Sequence, residues 1–377
     1  GRESAQLAED RAQGFQGPRG VIGHIPNIQR DILKAIGAGK DTVDAKGPRQ
    51  SEVDMCRKRL SAVLSASPQP SASEAIAELQ PQVVEALIRD SGDPDVVLPE
   101  WLRRGAPTGI EEKVGSCGVF PTLREGESSY PDLPLNYISE EHVNYASMDS
   151  DPQGQEVLKD LVDAGYIMKL DTYGDLSDFL HGETPVMCKI ALIVTEKNGV
   201  TKHRLILDCK ASGSNTAATR DERILLPIAW AVVRDSLHFI ATKKDVDVVK
   251  YLVLDFKDAF FKVPLMPSEY KYYVAEHGGA YYVWLRVAQG SVNGPTVWGR
   301  IAAFTARMTQ ALADPEGFRL QLYTDDPLGV IKAPPHRAGR IVAMIILFWL
   351  TLGFQLAYRK GQYSREVDCI GYHIRYS

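Results

Sequence analysis

Paired cysteines are missing from this sequence of 377 residues. The five cysteines, an odd number, are scattered through the chain and show no paired spacing. This pattern excludes a disulfide framework and a zinc site built on cysteine pairs, and it predicts a reducing compartment.

The sequence also has little positive charge and no long apolar run. Its formal net charge is -5, so any surface that binds nucleic acid must concentrate Lys and Arg locally. The most apolar stretch, residues 341–350, is too short to span a bilayer and predicts a buried helix. The first residues, Gly-Arg-Glu-Ser, show no signal peptide, and the missing initiator Met suggests a fragment. We therefore expect an intracellular protein, in the cytoplasm or nucleus, with no membrane partner.

The composition and the pattern of predicted elements divide the sequence into two regions. Residues 1–150 carry short helical patterns around 27–36, 52–64 and 73–89, separated by Gly, Pro and Ser clusters. The run of prolines from Pro94 to Pro121 predicts an extended connector. We interpret residues 1–150 as a partly ordered accessory or leader region.

Residues 151–377 show a regular order of helices and strands. Helices are predicted over residues 155–165, 295–313 and 336–352, with Asn293 as the N-cap of the second. An Asn-Gly between the apolar runs 189–196 and 203–207 predicts a hairpin. Further strands are predicted at 251–256, 281–287, 318–323, 328–332, 354–358 and 367–374. This order predicts an α+β fold, with an antiparallel sheet and helices on one face.

Three carboxylates stand at the expected strand ends. Asp255 lies in YLVLDFKDAFFKVPL, and Asp325 and Asp326 lie in LQLYTDDPLGV. Like charges brought close together repel, and bound divalent cations relieve that repulsion. Two Mg²⁺ ions held by these acids would suit polymerase chemistry, although adjacent Asp residues also occur in ordinary turns.

In their order along the chain, these motifs resemble those of reverse transcriptases, most closely the enzymes of retrotransposons. LDFKDAFFKVPL resembles the first palm motif, AQGSVNGPT the second and YTDD the third. Downstream, LGFQLAYRKGQ and CIGYHI resemble the fourth motif and the turn that grips the primer. Upstream, TKHRLILD resembles the fingers hairpin that holds the triphosphate. The resemblance implies fingers and palm over residues 151–377, and no thumb can be recognised.

The resemblance also implies roles for single residues. Asp255, Asp325 and Asp326 become catalytic residues that bind two Mg²⁺ ions, with Mn²⁺ as a possible substitute. Lys360 becomes a general acid toward pyrophosphate, although it could also be a plain surface lysine. The implied substrate-binding residues are Lys202, Arg204, Phe256, Phe260, Gln289 and Gly290.

The implied substrate-binding residues would have several functions. Lys202 and Arg204 would contact the triphosphate, although a solvated basic hairpin would look the same. The main-chain amide of Phe256 would face the triphosphate. The ring of Phe260 would exclude a 2′-hydroxyl, or else pack in the core. Gln289 and Gly290 would approach a nucleotide or the template, or form a simple turn at the start of a helix.

The implied activity is RNA-directed DNA polymerisation, with deoxynucleoside triphosphates as substrates and a primed RNA or DNA template as partner. One alternative is an inactive or fragmentary nucleic-acid-binding relative, which the missing thumb and Pro327 favour. A Pro after the paired Asp cannot donate to the strand ladder, so it could change the hairpin register. An RNA-dependent RNA polymerase is the other alternative, and Phe260 argues against it.

Overall fold

The computed structural model describes residues 32, 36, 47–64, 79–124, 134–137, 143–197 and 200–376. Most of the helix predicted at 27–36, and the Ser- and Pro-rich segment after residue 64, lie outside the described residues. The helices, in chain order, are α1 Gln50–Val63, α2 Pro81–Ser91, α3 Leu98–Arg104, α4 Ala146–Ser150, α5 Pro152–Asp163, α6 Tyr173–Phe179, α7 Ser214–Ala217, α8 Ala229–Thr242, α9 Gly294–Leu312 and α10 Pro335–Leu352. The strands are β1 Ile167–Leu170, β2 Lys189–Lys197, β3 Val200–Asp208, β4 Val248–Val253, β5 Val274–His277, β6 Ala280–Trp284, β7 Phe318–Tyr323, β8 Asp326–Ala333, β9 Gln362–Ser364, β10 Glu366–Cys369 and β11 Tyr372–Arg375.

The central element is a four-stranded sheet in the order β7-β8-β4-β9, and every pairing in it is antiparallel. Side chains of β4 alternate between two cores, as the two-residue period of a strand requires. Val249, Tyr251 and Val253 point into one core, and Leu252 points into the other. The predicted α+β class with an antiparallel sheet is therefore confirmed.

Both faces of this sheet are covered. Helices α9 and α10 share a core with Leu252, Phe318 and Ile331, as expected for helices packed on one face. The other face packs against Val232 and Phe239 of α8, together with residues of the C-terminal hairpin. The prediction of helices on one face was thus too narrow, because α8 crosses the second face before the chain enters β4.

The N-terminal helices contribute to the same core. Leu87 of α2 and Trp101 of α3 are buried in one cluster with Ile301, Phe304 and Leu352 from α9 and α10. The division predicted at residue 150 therefore does not coincide with a boundary between two cores.

Three local predictions were wrong. The proline-rich segment contains helix α3, because Pro99 stands at a first-turn position, where its missing N–H removes no bond. Residues 354–358 contribute only an isolated bridge at Leu356, followed by a 3₁₀ turn. The segment 367–374 is a hairpin of two strands, because Ile370 and Gly371 turn the chain with φ of 53° and 77°.

The hairpin predicted from the Asn-Gly between two apolar runs is confirmed. Strands β2 and β3 pair antiparallel from Lys189↔Asp208 to Lys197↔Val200, while the Asn-Gly turn lies outside the described residues. Asn293 stands at the N-cap position of α9, as predicted, but its side chain makes no capping hydrogen bond to this helix. Its amide group instead donates to the carbonyl oxygens of Thr108, at 2.7 Å, and Thr219, at 3.2 Å.

Helix α10 is long and apolar enough to cross a membrane by length and composition alone. Its large side chains, among them Ile345, Ile346, Phe348 and Trp349, are buried within the protein. Helix α10 is therefore the buried core helix that was predicted for residues 341–350.

Candidate active site

Asp255 lies two residues beyond the end of β4, where the chain runs beside the tip of the β7–β8 hairpin. Its side chain is largely buried, and its carbonyl oxygen accepts a hydrogen bond from the Ala357 amide, at 3.0 Å. The next amide, that of Phe256, donates to the carbonyl oxygen of Asp325, at 2.9 Å. This main-chain bond holds two segments side by side that are 70 positions apart in the sequence.

Asp325 and Asp326 lie at the tip of the β7–β8 hairpin. Tyr323 pairs with Asp326, which leaves Thr324 and Asp325 as a two-residue turn. Pro327 pairs opposite Leu322 in an uninterrupted register, so the expected disturbance of the hairpin by this proline is wrong. Pro327 needs no N–H here, and its carbonyl oxygen accepts a hydrogen bond from Leu254, at 3.2 Å.

The three carboxylates interact electrostatically. Burial, together with the neighbouring charges of Asp325 and Asp255, raises the pKa of Asp326 to about 6. Burial also raises the pKa of Asp255, while Lys360 opposes that rise and Asp325 adds to it. The structure therefore concentrates negative charge in a half-buried place, where a cation would be stabilised.

A cation from the protein itself already contacts one of these acids. The ammonium group of Lys360, on the 3₁₀ turn Tyr358–Lys360, forms a salt bridge with the Asp255 carboxylate. Within the described part of the chain, no three acidic, His or Cys side chains meet as a preformed set of metal ligands. Carboxylate oxygens are nevertheless the donors that Mg²⁺ prefers, so the residues fit the ion by their chemistry. Its binding at Asp255 would require Lys360 to move away.

Lys202 and Arg204 lie on β3, two residues apart, so their exposed side chains project from the same face of the β2–β3 hairpin. Lys202 is close enough to lower the pKa of both Asp255 and Asp326. The structure thus places Lys202 within the electrostatic field of the carboxylates, with Arg204 beside it on the strand.

Phe256 is a core residue. Its ring stacks on Phe354, with centroids 4.6 Å apart, and packs edge-on against Trp349 at 5.2 Å. Because its amide already donates to Asp325, the predicted contact of that amide with a triphosphate is wrong for this arrangement.

Phe260 is half-buried, in contrast to the buried Phe261 beside it, whose ring stacks on Tyr166 at 4.8 Å. A side chain on Gly294, at the start of α9, would stand 3.3 Å from the Phe260 ring. The ring therefore packs at the junction of the segment after Asp255 with α9. Its role toward a sugar stays a prediction.

Gln289 and Gly290 lie against the end of β3. The carbonyl oxygen of Gln289 accepts a hydrogen bond from the Leu207 amide, at 3.1 Å. Gly290 has a φ of 120°, and a Cβ there would stand 1.9 Å from the Leu207 carbonyl oxygen. The close approach that requires glycine is thus to β3, whereas an approach to a nucleotide or template stays a prediction.

Sequence reasoning missed Thr324, which has a φ of 50° although its side chain is β-branched. Its hydroxyl lies 2.7 Å from Oδ1 of Asp325, so it can donate to that carboxylate. The only signal in the sequence was its position inside YTDD, and no spacing rule indicates a left-handed residue there.

A cavity of about 700 Å³ lies at the other end of the sheet and is separate from this site. Val246 and Asp247, which precede β4, line it together with Lys332 and Ile341. Asp255, Asp325 and Asp326 are absent from its lining.

The raised pKa of Asp326 gives a testable dependence of stability on pH. A carboxyl whose folded-state pKa exceeds its ordinary 3.8 stabilises the fold while it is protonated, and this contribution is lost as pH rises through about 6. Without divalent cations, we expect the parent protein to lose stability relative to Asp326→Asn between about pH 4 and pH 7. Urea unfolding of both proteins across that range measures the difference, and parallel curves would contradict the expectation.

Comparison with known proteins gives one family. The sequence model described as "Reverse transcriptase (RNA-dependent DNA polymerase)" matches residues 195–374. Two curated relatives are Gag-Pol polyproteins. That of avian reticuloendotheliosis virus is 32% identical over 136 residues, and that of koala retrovirus is 32% identical over 133 residues. These alignments cover 34% and 33% of this chain but only 12% and 8% of the polyproteins.

Solved structures with some similarity come from foamy virus. A protease-reverse transcriptase in complex with double-stranded DNA aligns with 93% of this chain and 55% of its own, with 15% identity and a TM-score of 0.47. A second structure, the foamy viral protease-reverse transcriptase dRH in complex with double-stranded DNA, aligns with 64% of this chain and 38% of its own, with 18% identity and a TM-score of 0.45.

Proposed function

We propose that this chain, whose residues 195–374 match the reverse transcriptase family model, contains the polymerase centre of an RNA-directed DNA polymerase. It would add deoxynucleotides to the 3′-hydroxyl of a primer on an RNA or DNA template. As part of the same proposal, the protein acts inside the cell, where deoxynucleoside triphosphates are available.

The observation that carries the proposal is the approach of Asp255 to the tip of the β7–β8 hairpin. The hydrogen bond from Phe256 to Asp325 brings the two acidic segments together, and burial, with the neighbouring Asp325 and Asp255, raises the pKa of Asp326. An isolated acidic turn would need no such partner from β4.

Asp255, Asp325 and Asp326 would hold Mg²⁺, or Mn²⁺ in its place. When bound, two such ions supply Lewis-acid stabilisation of the attacking hydroxyl and of the leaving pyrophosphate. Lys202 and Arg204 would orient the triphosphate through charge-assisted hydrogen bonds, since both project from one face of β3.

Lys360 would have two positions. In the structure its ammonium group neutralises Asp255. In a second position, away from Asp255, the Lys360 ammonium group would be able to donate a proton to the departing pyrophosphate. Gln289 and Gly290 would support the adjoining fingers strand and lie next to the template or the incoming nucleotide.

The deciding experiment is primer extension on an RNA template with deoxynucleoside triphosphates and Mg²⁺. Extension by the parent protein supports the proposal. Salt-dependent binding of template-primer without extension would instead favour the inactive nucleic-acid-binding relative. Efficient use of ribonucleoside triphosphates would favour an RNA polymerase.

Phe260→Ala should relax the selection of the sugar. If the ring lies beside the incoming nucleotide, its removal opens space for a 2′-hydroxyl. The preference for deoxynucleotides should then fall by about tenfold to a hundredfold, measured as a ratio of kcat/KM values. Phe261→Ala serves as the matched control. Because Phe261 is buried, the loss of its ring should lower stability without changing that ratio. An unchanged ratio in Phe260→Ala would identify the ring as core packing.

A further inference from the structure

The turn that carries Asp325 is strained. Thr324 adopts a φ of 50°, a conformation that β-branched residues avoid. A strained turn persists only when its surroundings hold it. The contact that holds this turn therefore helps to decide where the Asp325 carboxylate stands.

Trp298 on α9 makes that contact. Its indole Nε1 donates a hydrogen bond to the main-chain carbonyl oxygen of Thr324, at 3.0 Å. The Trp298 side chain is 1% exposed, so neither its N–H nor its ring can exchange this contact for water.

The same indole also contacts the segment after Asp255. Its ring packs edge-on against Phe256, with centroids 6.3 Å apart, and against Phe354 at 6.2 Å. Phe256 is the residue whose amide donates to Asp325. One rigid, buried side chain therefore touches both segments that carry the acids.

We infer that Trp298 is a positioning residue, which fixes the Thr324–Asp325 turn relative to Asp255 through its indole N–H. This inference rests on the proposed function, because it concerns the same carboxylates. A phenyl ring would fill much of the same space in the core but could not donate to the Thr324 carbonyl. The positioning role is thus assigned to the indole N–H of Trp298 and not to the size of its ring.

Trp298→Phe removes the donor and keeps an aromatic ring. We expect the affinity for Mn²⁺, measured by electron paramagnetic resonance, to fall about tenfold or more, as when a supporting contact behind a metal ligand is lost. In primer extension, kcat should fall by a similar factor while KM for the deoxynucleotide changes little, because the groups assigned to triphosphate binding lie on β3.

Trp349→Phe is the matched control. Trp349 is equally buried and packs edge-on against the same Phe256 ring at 5.2 Å. Its Nε1, however, donates to the Thr309 hydroxyl, at 2.8 Å, within the helical core. This variant should lose stability to a comparable extent and retain Mn²⁺ affinity.

A second replacement at position 298 keeps the test decisive even if Trp298→Phe does not fold. A benzothienyl analogue of tryptophan, with sulfur in place of the N–H, keeps the ring's shape and should also lower Mn²⁺ affinity. Equal losses in the Trp298 and Trp349 variants, or unchanged affinity in the benzothienyl protein, would overturn the inference and leave the proposed function standing. A parent protein that neither binds Mn²⁺ nor extends primers would overturn both.

Discussion

Asp325→Asn is expected to abolish primer extension, with a fall in kcat of about a thousandfold or more. The proposed chemistry depends on divalent cations held at Asp255 and Asp325, and an amide is a much weaker ligand than a carboxylate. The fold should survive, because the main-chain hydrogen bond from Phe256 to Asp325 does not involve the side chain. Single-turnover extension and thermal unfolding of the purified variant measure the two effects separately.

Asp255→Asn should have the same effect on extension, whereas Asp245→Asn should have none. Asp245 is exposed and precedes the same strand, β4, at its other end, so it controls for the removal of one negative charge. Extension that persists in Asp325→Asn at near-parental rates would remove the carboxylates from the mechanism.

Asp95→Asn is expected to lower the free energy of unfolding by about 3–5 kcal/mol, the usual cost of leaving a buried ion without its partner. Both oxygens of Asp95 accept hydrogen bonds from the guanidinium group of Arg300 on α9, with Nε at 2.8 Å. The pair is fully buried, and the Arg300 guanidinium also lies over the Trp101 ring, 4.3 Å from its centroid. Urea unfolding followed by tryptophan fluorescence measures the loss.

Glu100→Gln provides the comparison for this charge removal. Glu100 pairs with Arg104 on the surface of α3, where about half or more of each side chain is exposed. Its loss should cost at most about 1 kcal/mol. Similar small losses in both variants would mean that the region around Asp95 is only loosely attached to α9.

Local patterns were sufficient for much of the fold. The two apolar runs and the Asn-Gly between them predicted the β2–β3 hairpin, and the apolar run with Gly353 after it predicted α10 and its end. These features depend on residues close in sequence, so propensity and periodicity determine them. The order of motifs also predicted the α+β class and the family that matches residues 195–374.

The N-terminal region shows where such patterns are insufficient. Prolines between residues 94 and 121 predicted a connector, but the structure buries Leu98 and Trp101 of this segment against α9. The ion pair of Asp95 with Arg300 joins residues 205 positions apart. No local period encodes such a partner, because the energy comes from burial against an element distant in sequence.

For the candidate site, the sequence by itself determined which acids stand at the ends of β4 and β7, because strand and turn patterns are local. Only the tertiary structure decided what surrounds them. In the fold, the Phe256 amide donates a hydrogen bond to Asp325, and Lys360 forms a salt bridge with Asp255. The Trp298 indole donates a hydrogen bond to the strained Thr324. These contacts depend on how helix α9 and the segment after α10 pack on the sheet, and packing is a property of the whole fold rather than of any motif.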